Sequence, residues 1–303
     1  MCMGIYRKIK CILSHTFNHT IPYFYKSVFY KRCTHAIWFP AFLCLFLFTN
    51  SLAPCAEYKY TIYFYNPETN INNFASLKKE FDLYLARFGG YQFQPFSERE
   101  IFEKLISEKK DGIFIISSWH YKQLKENISI EPILVAVSKN KSTCRRIFST
   151  SRIINDISML SGMNVASASS EDYTKNVLIQ MFGENKGAVA SSIKILSVPK
   201  EIDALMSVGF GMADAAVTTD SSLAKLSVIN RKLYDTLKQL LISNETLLPI
   251  VAVPKPQDEN HKKLAKIIKD MEAAVEGKNK LSMLGFDGWK ILNASEKEYL
   301  EKQ

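Results

Sequence analysis

The sequence predicts an α/β protein of two lobes, each a mixed sheet flanked by helices, joined by two strands that cross between them. Three observations carry this. Strand-length runs of aromatic and β-branched residues alternate with stretches of helical period from Tyr58 onward. The alternation begins afresh near Ile153. Two strong apolar runs, 133–138 and 247–253, fall where a chain passing to a second lobe and back would cross.

The elements follow in order. Residues 58–65 read as a strand stopped by Asn66 and Pro67, and Phe74, Leu77, Phe81, Leu85 and Phe88 form a helical stripe ended by Gly89 and Gly90. Residues 91–96 read as a second strand. Ser97 and Glu100 have capping-box spacing and open a helix through Lys109. Residues 112–117 are a short apolar strand of the kind covered on both faces. A further strand, 133–138, precedes a basic polar stretch, 139–146. The second series has a short helix or turn to 160–162, a strand at 164–168, a helix from about Ser170, strands at 194–198 and 213–217, and the strand 247–253. The C-terminus reads as a helix from Asp258 to about Val275, with Leu264, Ile267, Ile268 and Met271 on one face.

Residues 1–56 carry Arg7, Lys8, Lys10, Lys26, Lys31 and Arg32, no acid, and an apolar run at 36–48. A basic n-region, an apolar core and small residues beyond it describe a secretory signal, so export to the periplasm is expected. The run falls short of the roughly 20 apolar residues that span a bilayer, and Pro40 interrupts it, which disfavours an uncleaved anchor. Leu52 to Cys55 resembles a lipoprotein box, but Pro54 before the cysteine fits poorly, and ordinary cleavage after Ala56 is expected. The lobes then comprise 57–138 plus 250–303, and 139–249. The leader holds six of the nine net positive charges and five of the six cysteines. What remains has no basic block for nucleic acid, one cysteine (Cys144), two histidines (His120, His261), and no spacing that suggests a metal or cofactor.

The order of elements up to 112–117 and 132–137, the stretch 153–165, the stretch 207–217 containing Gly209, Gly211 and Asp214, and the short run 283–289 together resemble the phosphate, phosphite and phosphonate-type substrate-binding proteins of ABC transporters. The resemblance spans about 58–292. It implies a type II periplasmic-binding-protein fold, a small oxyanion held between the lobes, a monomer, and an ABC permease as partner; a membrane histidine kinase is the alternative partner, with the membrane otherwise touched only through the export signal.

The residues themselves favour an oxyanion. Ser167, Ser169 and Ser170 lie between a strand and a helix, where free N–H groups and hydroxyls can hold an anion without a lysine; simple capping is the alternative. Glu171 and Asp172 must then point away from it. Ser118, Trp119, His120 and Tyr121 follow the strand 112–117, at the end where open α/β sheets bind ligands, and Asn66 faces the same end. The resemblance adds Asp214, with Thr218 and Thr219 on the same strand end. It also implies a histidine just before the helix near Val198, Pro199 and Lys200, and none is there, which leaves the choice of anion open. Nucleophile elbow, P-loop and zinc-protease motifs are missing, which argues against an enzyme.

Overall fold

The computed structural model describes residues 60–302 apart from 69, 70, 72 and 110; the segment read as an export leader lies outside the described residues. The chain divides into units 1–55 and 56–303, and the second contains both lobes. No helix among the described residues is long and apolar enough to cross a membrane.

The first lobe begins β1 (Tyr60–Tyr65), α1 (Phe74–Leu85), β2 (Tyr91–Pro95), α2 (Arg99–Glu108), β3 (Gly112–Ile116), α3 (Ser118–Leu124) and β4 (Ile130–Val137). A short strand β5 (Thr143–Cys144) leads into the second lobe. That lobe contains β6 (Arg146–Ser151), β7 (Asn164–Ser167), α4 (Glu171–Phe182), α5 (Gly187–Ser192), β8 (Lys194–Ser197), α6 (Glu201–Gly209), β9 (Ala215–Thr219), α7 (Asp220–Ile229), α8 (Arg231–Tyr234) and β10 (Leu237–Ile242). The chain returns through β11 (Thr246–Leu247) to β12 (Ile250–Pro254), α9 (Glu259–Lys269), α10 (Val275–Met283), β13 (Gly288–Ile291) and α11 (Ala294–Glu301).

Each lobe is built on a mixed sheet. The first has strand order β13-β4-β12-β3-β1-β2, the second β10-β6-β9-β7-β8. Because successive strand residues face opposite sides, β1 and β3 feed two cores at once. Ile62, Phe64, Ile113 and Ile115 pack with Leu77, Phe81 and Leu85 of α1 and Leu264 and Ile268 of α9. Tyr63, Tyr65, Phe114 and Ile116 pack with Phe102 and Ile106 of α2 and Tyr121 and Leu124 of α3. The second lobe divides likewise, Ala166 and Ala216 lying under α6 and α7, and Val165 and Val217 under α4.

Four expectations change. The runs 133–138 and 247–253 were expected to cross between lobes. Instead β4 and β12 pair with one another inside the first sheet. The crossing is made by the ribbon of β5 and β11, where Thr246 faces Cys144 and Leu247 faces Thr143. Pro249 lies in the break between β11 and β12 and divides the run in two. No capping box forms at Ser97: α2 begins at Arg99 with Glu98 as an N-cap that makes no side-chain bond. The C-terminal helix is two helices, α9 and α10, separated by a 3-10 turn at Asp270–Ala273. Finally, β6 and β10 stand in the second sheet although nothing in the pattern announced them. In β6 the sequence Arg-Ile-Phe-Ser-Thr-Ser dilutes the apolar signal, yet Ser149 and Thr150 are fully buried.

Candidate ligand-binding cleft

The loops after β1, β3, β7 and β9 meet between the lobes, at the carboxyl ends of their strands, where α/β folds place ligands. β6 runs antiparallel to β9 and pairs Arg146 with Thr219. Its first residue therefore lies at this same edge.

Arg146 is the centre of the cleft. Its side chain is 4% exposed and all three guanidinium nitrogens are engaged. Nη2 donates to Glu68 Oε2 at 2.8 Å, Nη1 to Glu201 Oε1 at 2.9 Å, and Nε to the Tyr173 hydroxyl at 3.3 Å. Glu68 belongs to the first lobe and is 5% exposed; Glu201 opens α6 in the second. Glu201 Oε2 accepts from the Thr219 amide at 3.0 Å and from the Thr219 hydroxyl. Burial pushes the Glu68 carboxyl above its ordinary range, Arg146 pulls it back, and the neighbouring Glu201 pushes it up further.

Two cavities flank this cluster, and Glu68 and Arg146 line both. One, of about 440 Å³, is also bounded by Ser138, Lys139 and Lys141, by Thr219, Ser221 and Ser222 at the start of α7, and by Leu284 to Phe286. The other, of about 650 Å³, is bounded by Ser118, Trp119, Tyr173, Val177, Met181 and Tyr299. Cys144 lines the smaller cavity from the crossing ribbon, and burial raises its thiol pKa. Among the described residues no group of three or more His, Cys, Asp or Glu side chains is placed to hold a metal ion.

The structure separates the predicted site residues into those at the cleft and those away from it. Asn66 is buried at the cleft, and its Oδ1 accepts from the Glu68 amide at 3.0 Å, a local turn that sets the course of the loop. Ser169 Oγ donates to the Glu68 carbonyl at 2.9 Å. Ser170 caps α4, and its own amide donates to the Pro67 carbonyl at 2.7 Å. Ser167 lies one layer deeper and accepts from the Ser169 amide and the Thr174 hydroxyl. Glu171 and Asp172 are exposed, away from these contacts. Trp119 spans the lobes: Nε1 donates to Asn176 Oδ1 at 3.0 Å, and the ring meets Tyr173 edge-on. Ser118 lines the larger cavity while its hydroxyl donates to the Leu247 carbonyl at 2.7 Å, tying α3 to the crossing ribbon.

Four predicted residues point elsewhere. His120 is fully buried in the first lobe, with Nε2 2.8 Å from Glu103 Oε1 and the ring against Tyr65 and Phe102. Tyr121, one step along the same helix, turns into the core, and its hydroxyl reaches Glu301. Thr218 is fully buried, its hydroxyl without a hydrogen-bond partner, and its neighbour Thr219 faces the cleft instead. Asp214 precedes β9, so it sits about 16 Å of strand from Thr219, at the far end of the sheet. There its carboxylate accepts from the Asn164 amide at 2.9 Å.

Pattern reasoning missed Glu68, Arg146, Tyr173 and Glu201. The one available signal was Arg146 itself, a charged residue directly before an apolar pair, at the end of the stretch read as basic and polar.

Two sheet-and-helix lobes joined by a pair of short crossing strands define the type II periplasmic-binding-protein fold. A family model for the periplasmic phosphonate substrate-binding protein of ABC transporters matches residues 65–297, and the chain belongs to that family. Its members are substrate-binding components rather than enzymes. Solved structures share the fold at low identity. A Xanthomonas citri protein bound to ATP superposes with a TM-score of 0.58 at 11% identity, covering 80% of this chain and 94% of that one. The binding protein component of an ABC phosphonate transporter from Pseudomonas aeruginosa gives 0.58 at 12%, covering 80% and 86%. PhnD1 of Prochlorococcus marinus in complex with methylphosphonate gives 0.57 at 13%, covering 80% and 96%. No curated protein sequence matches the chain.

Proposed function

We propose that this protein captures a small phosphonate-, phosphite- or phosphate-like anion between its lobes in the periplasm and delivers it to an ABC permease, as a monomer and without a catalytic step. The observation that carries the reading is Arg146, a buried guanidinium at the strand ends with a cavity on each side. Arginine presents a planar fork of donors matched to the oxygens of a phosphoryl group, and burial strengthens each bond. Lys139, Lys141 and the hydroxyls of Ser138, Thr219, Ser221 and Ser222 line the smaller cavity and add donors around it. A methylphosphonate complex of a protein with this fold agrees with the assignment.

The lobes 57–138 plus 250–303 and 139–249 open and close about the β5–β11 ribbon, and a ligand touching both favours the closed form by population shift. Export by the 1–56 segment delivers the protein to its compartment. A thermal-shift screen of phosphate, phosphite, methylphosphonate, sulfate and arsenate tests the ligand class. An anion at 100 times its Kd should stabilise the fold by about 2.7 kcal/mol. Stabilisation by neutral solutes alone would sink the reading, and release of phosphate from a bound phosphonate would show catalysis.

A further inference from the structure

We propose that Glu68 is a built-in competitor for the anion site: with no solute bound, its carboxylate occupies Arg146 and holds the two lobes together, so an entering anion must displace it. The proposal rests on the reading of the cleft as an anion site. It goes beyond it by naming the residue that sets which anions are accepted.

The geometry is that of a ligand contact made by the protein itself. Glu68 comes from the first lobe and Arg146 from the start of β6 in the second, and their 2.8 Å bond bridges the cleft. The same loop provides two further acceptors. The Pro67 carbonyl takes the Ser170 amide at the start of α4, and the Glu68 carbonyl takes the Ser169 hydroxyl. Three oxygens of one short loop thus meet three donors of the opposite lobe. Two of these donors are the serines that the sequence sets aside for an anion. Asn66 holds the loop in this course through its bond to the Glu68 amide.

The other carboxylate on Arg146 is not equivalent. Glu201 belongs to the same lobe as the arginine, and its second oxygen is committed to Thr219. It orients the guanidinium in open and closed forms alike, which leaves Nη2 as the exchangeable position. An anion also cannot simply join the cluster beside Glu68. Two unit charges 4 Å apart at an effective dielectric of 20 repel strongly enough to weaken binding roughly a thousandfold. Displacement is therefore required. A tetrahedral oxyanion is suited to it, because three of its oxygens can replace the three acceptors that the loop withdraws. A simple carboxylate repeats the chemistry of Glu68 and gains least.

The test compares wild type with Glu68→Gln, which keeps shape and removes charge, and with Glu68→Asp, which keeps charge and shortens reach. Small-angle scattering without added anion reads closure, and calorimetry with inorganic phosphate and methylphosphonate reads competition. Both variants should show a larger radius of gyration than ligand-free wild type, and Glu68→Gln should bind phosphate at least tenfold more tightly. The proposal is overturned by a radius unchanged in both variants. Phosphate bound no more tightly by Glu68→Gln than by wild type, where both bind it, overturns it equally. If the radius rises but neither anion binds either protein, the internal closure stands and the anion reading fails.

Discussion

Trp119→Phe should weaken closure by a calculable amount and silence the protein's own reporter of it. Trp119 lies in α3 of the first lobe, and its Nε1 donates to Asn176 Oδ1 on α4 of the second at 3.0 Å. Phenylalanine keeps a ring against Tyr173, 5.4 Å away edge-on, and beneath the Arg99 guanidinium. The change therefore removes mainly the donor. A neutral hydrogen bond contributes about 0.5–1.5 kcal/mol, so the closed-to-open ratio should fall by roughly two- to thirteenfold. Apparent ligand affinity should fall by at most the same factor, and by less the more of the ligand-free protein Glu68 already holds closed. Intrinsic fluorescence is the assay. Of the three tryptophans, Trp38 falls in the leader and can be replaced by phenylalanine, and Trp289 is 3% exposed in the first lobe's core. A ligand-dependent signal must then come from Trp119. A double-mutant cycle with Asn176→Ala should return a coupling of about 0.5–1.5 kcal/mol. A coupling indistinguishable from zero, or a fluorescence change that survives in Trp119→Phe, would refute this account of the interlobe contact.

Three further outcomes follow from the same structure. Arg146→Gln strands Glu68 as an unpaired buried carboxylate beside the partly exposed Glu201 and should cost the closed form about 3–5 kcal/mol, at least a hundredfold in phosphate affinity by calorimetry. The urea midpoint should fall less, because opening rehydrates Glu68; undiminished phosphate binding would contradict the role given to Arg146. Burial holds the His120 pKa below its ordinary 6.5, against the pull of Glu103. The unfolded chain therefore takes up a proton that the folded chain refuses. The contribution is present above pH 6.5 and is lost as pH falls toward the depressed folded value. Urea midpoints between pH 7.5 and 5 should show the acid-side loss in wild type and a shallower one in His120→Gln, and matching slopes would be the contrary result. Asp214→Ala should leave ligand affinity unchanged and lower stability by about 0.5–1.5 kcal/mol, as it removes the acceptor of the Asn164 amide; a tenfold affinity loss would return it to the site.

The lobes were legible because their strands carry the signals that burial imposes. β1 and β3 are buried along nearly their whole length, and α1 shows its core face at Leu77, Phe81 and Leu85. The elements that escaped have chemistry at odds with their environment. β6 places Ser149 and Thr150 among buried strand positions, and the two-residue strands of the crossing ribbon are shorter than any periodicity can register. The hairpin-like proximity of residues 144 and 246 arises only when both lobes fold. The same limit governed Thr218 and Thr219. Alternation says that they face opposite sides, but it does not say which side is the cleft.

The candidate site residues divide along a related line. The donors at Ser169 and Ser170 were readable as donors because a strand, small polar residues and a helix are contiguous there, and a local arrangement is enough to make them. Glu68, Arg146 and Glu201 were unreadable for the opposite reason: Arg146 meets partners 78 residues before it and 55 after it. Each is an ordinary charged residue in its own neighbourhood. What marks them is that three charges meet between the lobes with Glu68 and Arg146 buried, an arrangement that is costly unless every group is paired. That condition explains the contacts at Ser169 and Ser170 as well. Once Glu68 is drawn to Arg146, its loop brings the Pro67 and Glu68 carbonyls against the helix start, so the donors at Ser169 and Ser170 and the long-range ion pair are met by one segment. On the proposed reading of the cleft, an entering solute competes for both together, and a ligand screen on the wild-type protein then measures the difference between that solute and the 66–68 loop.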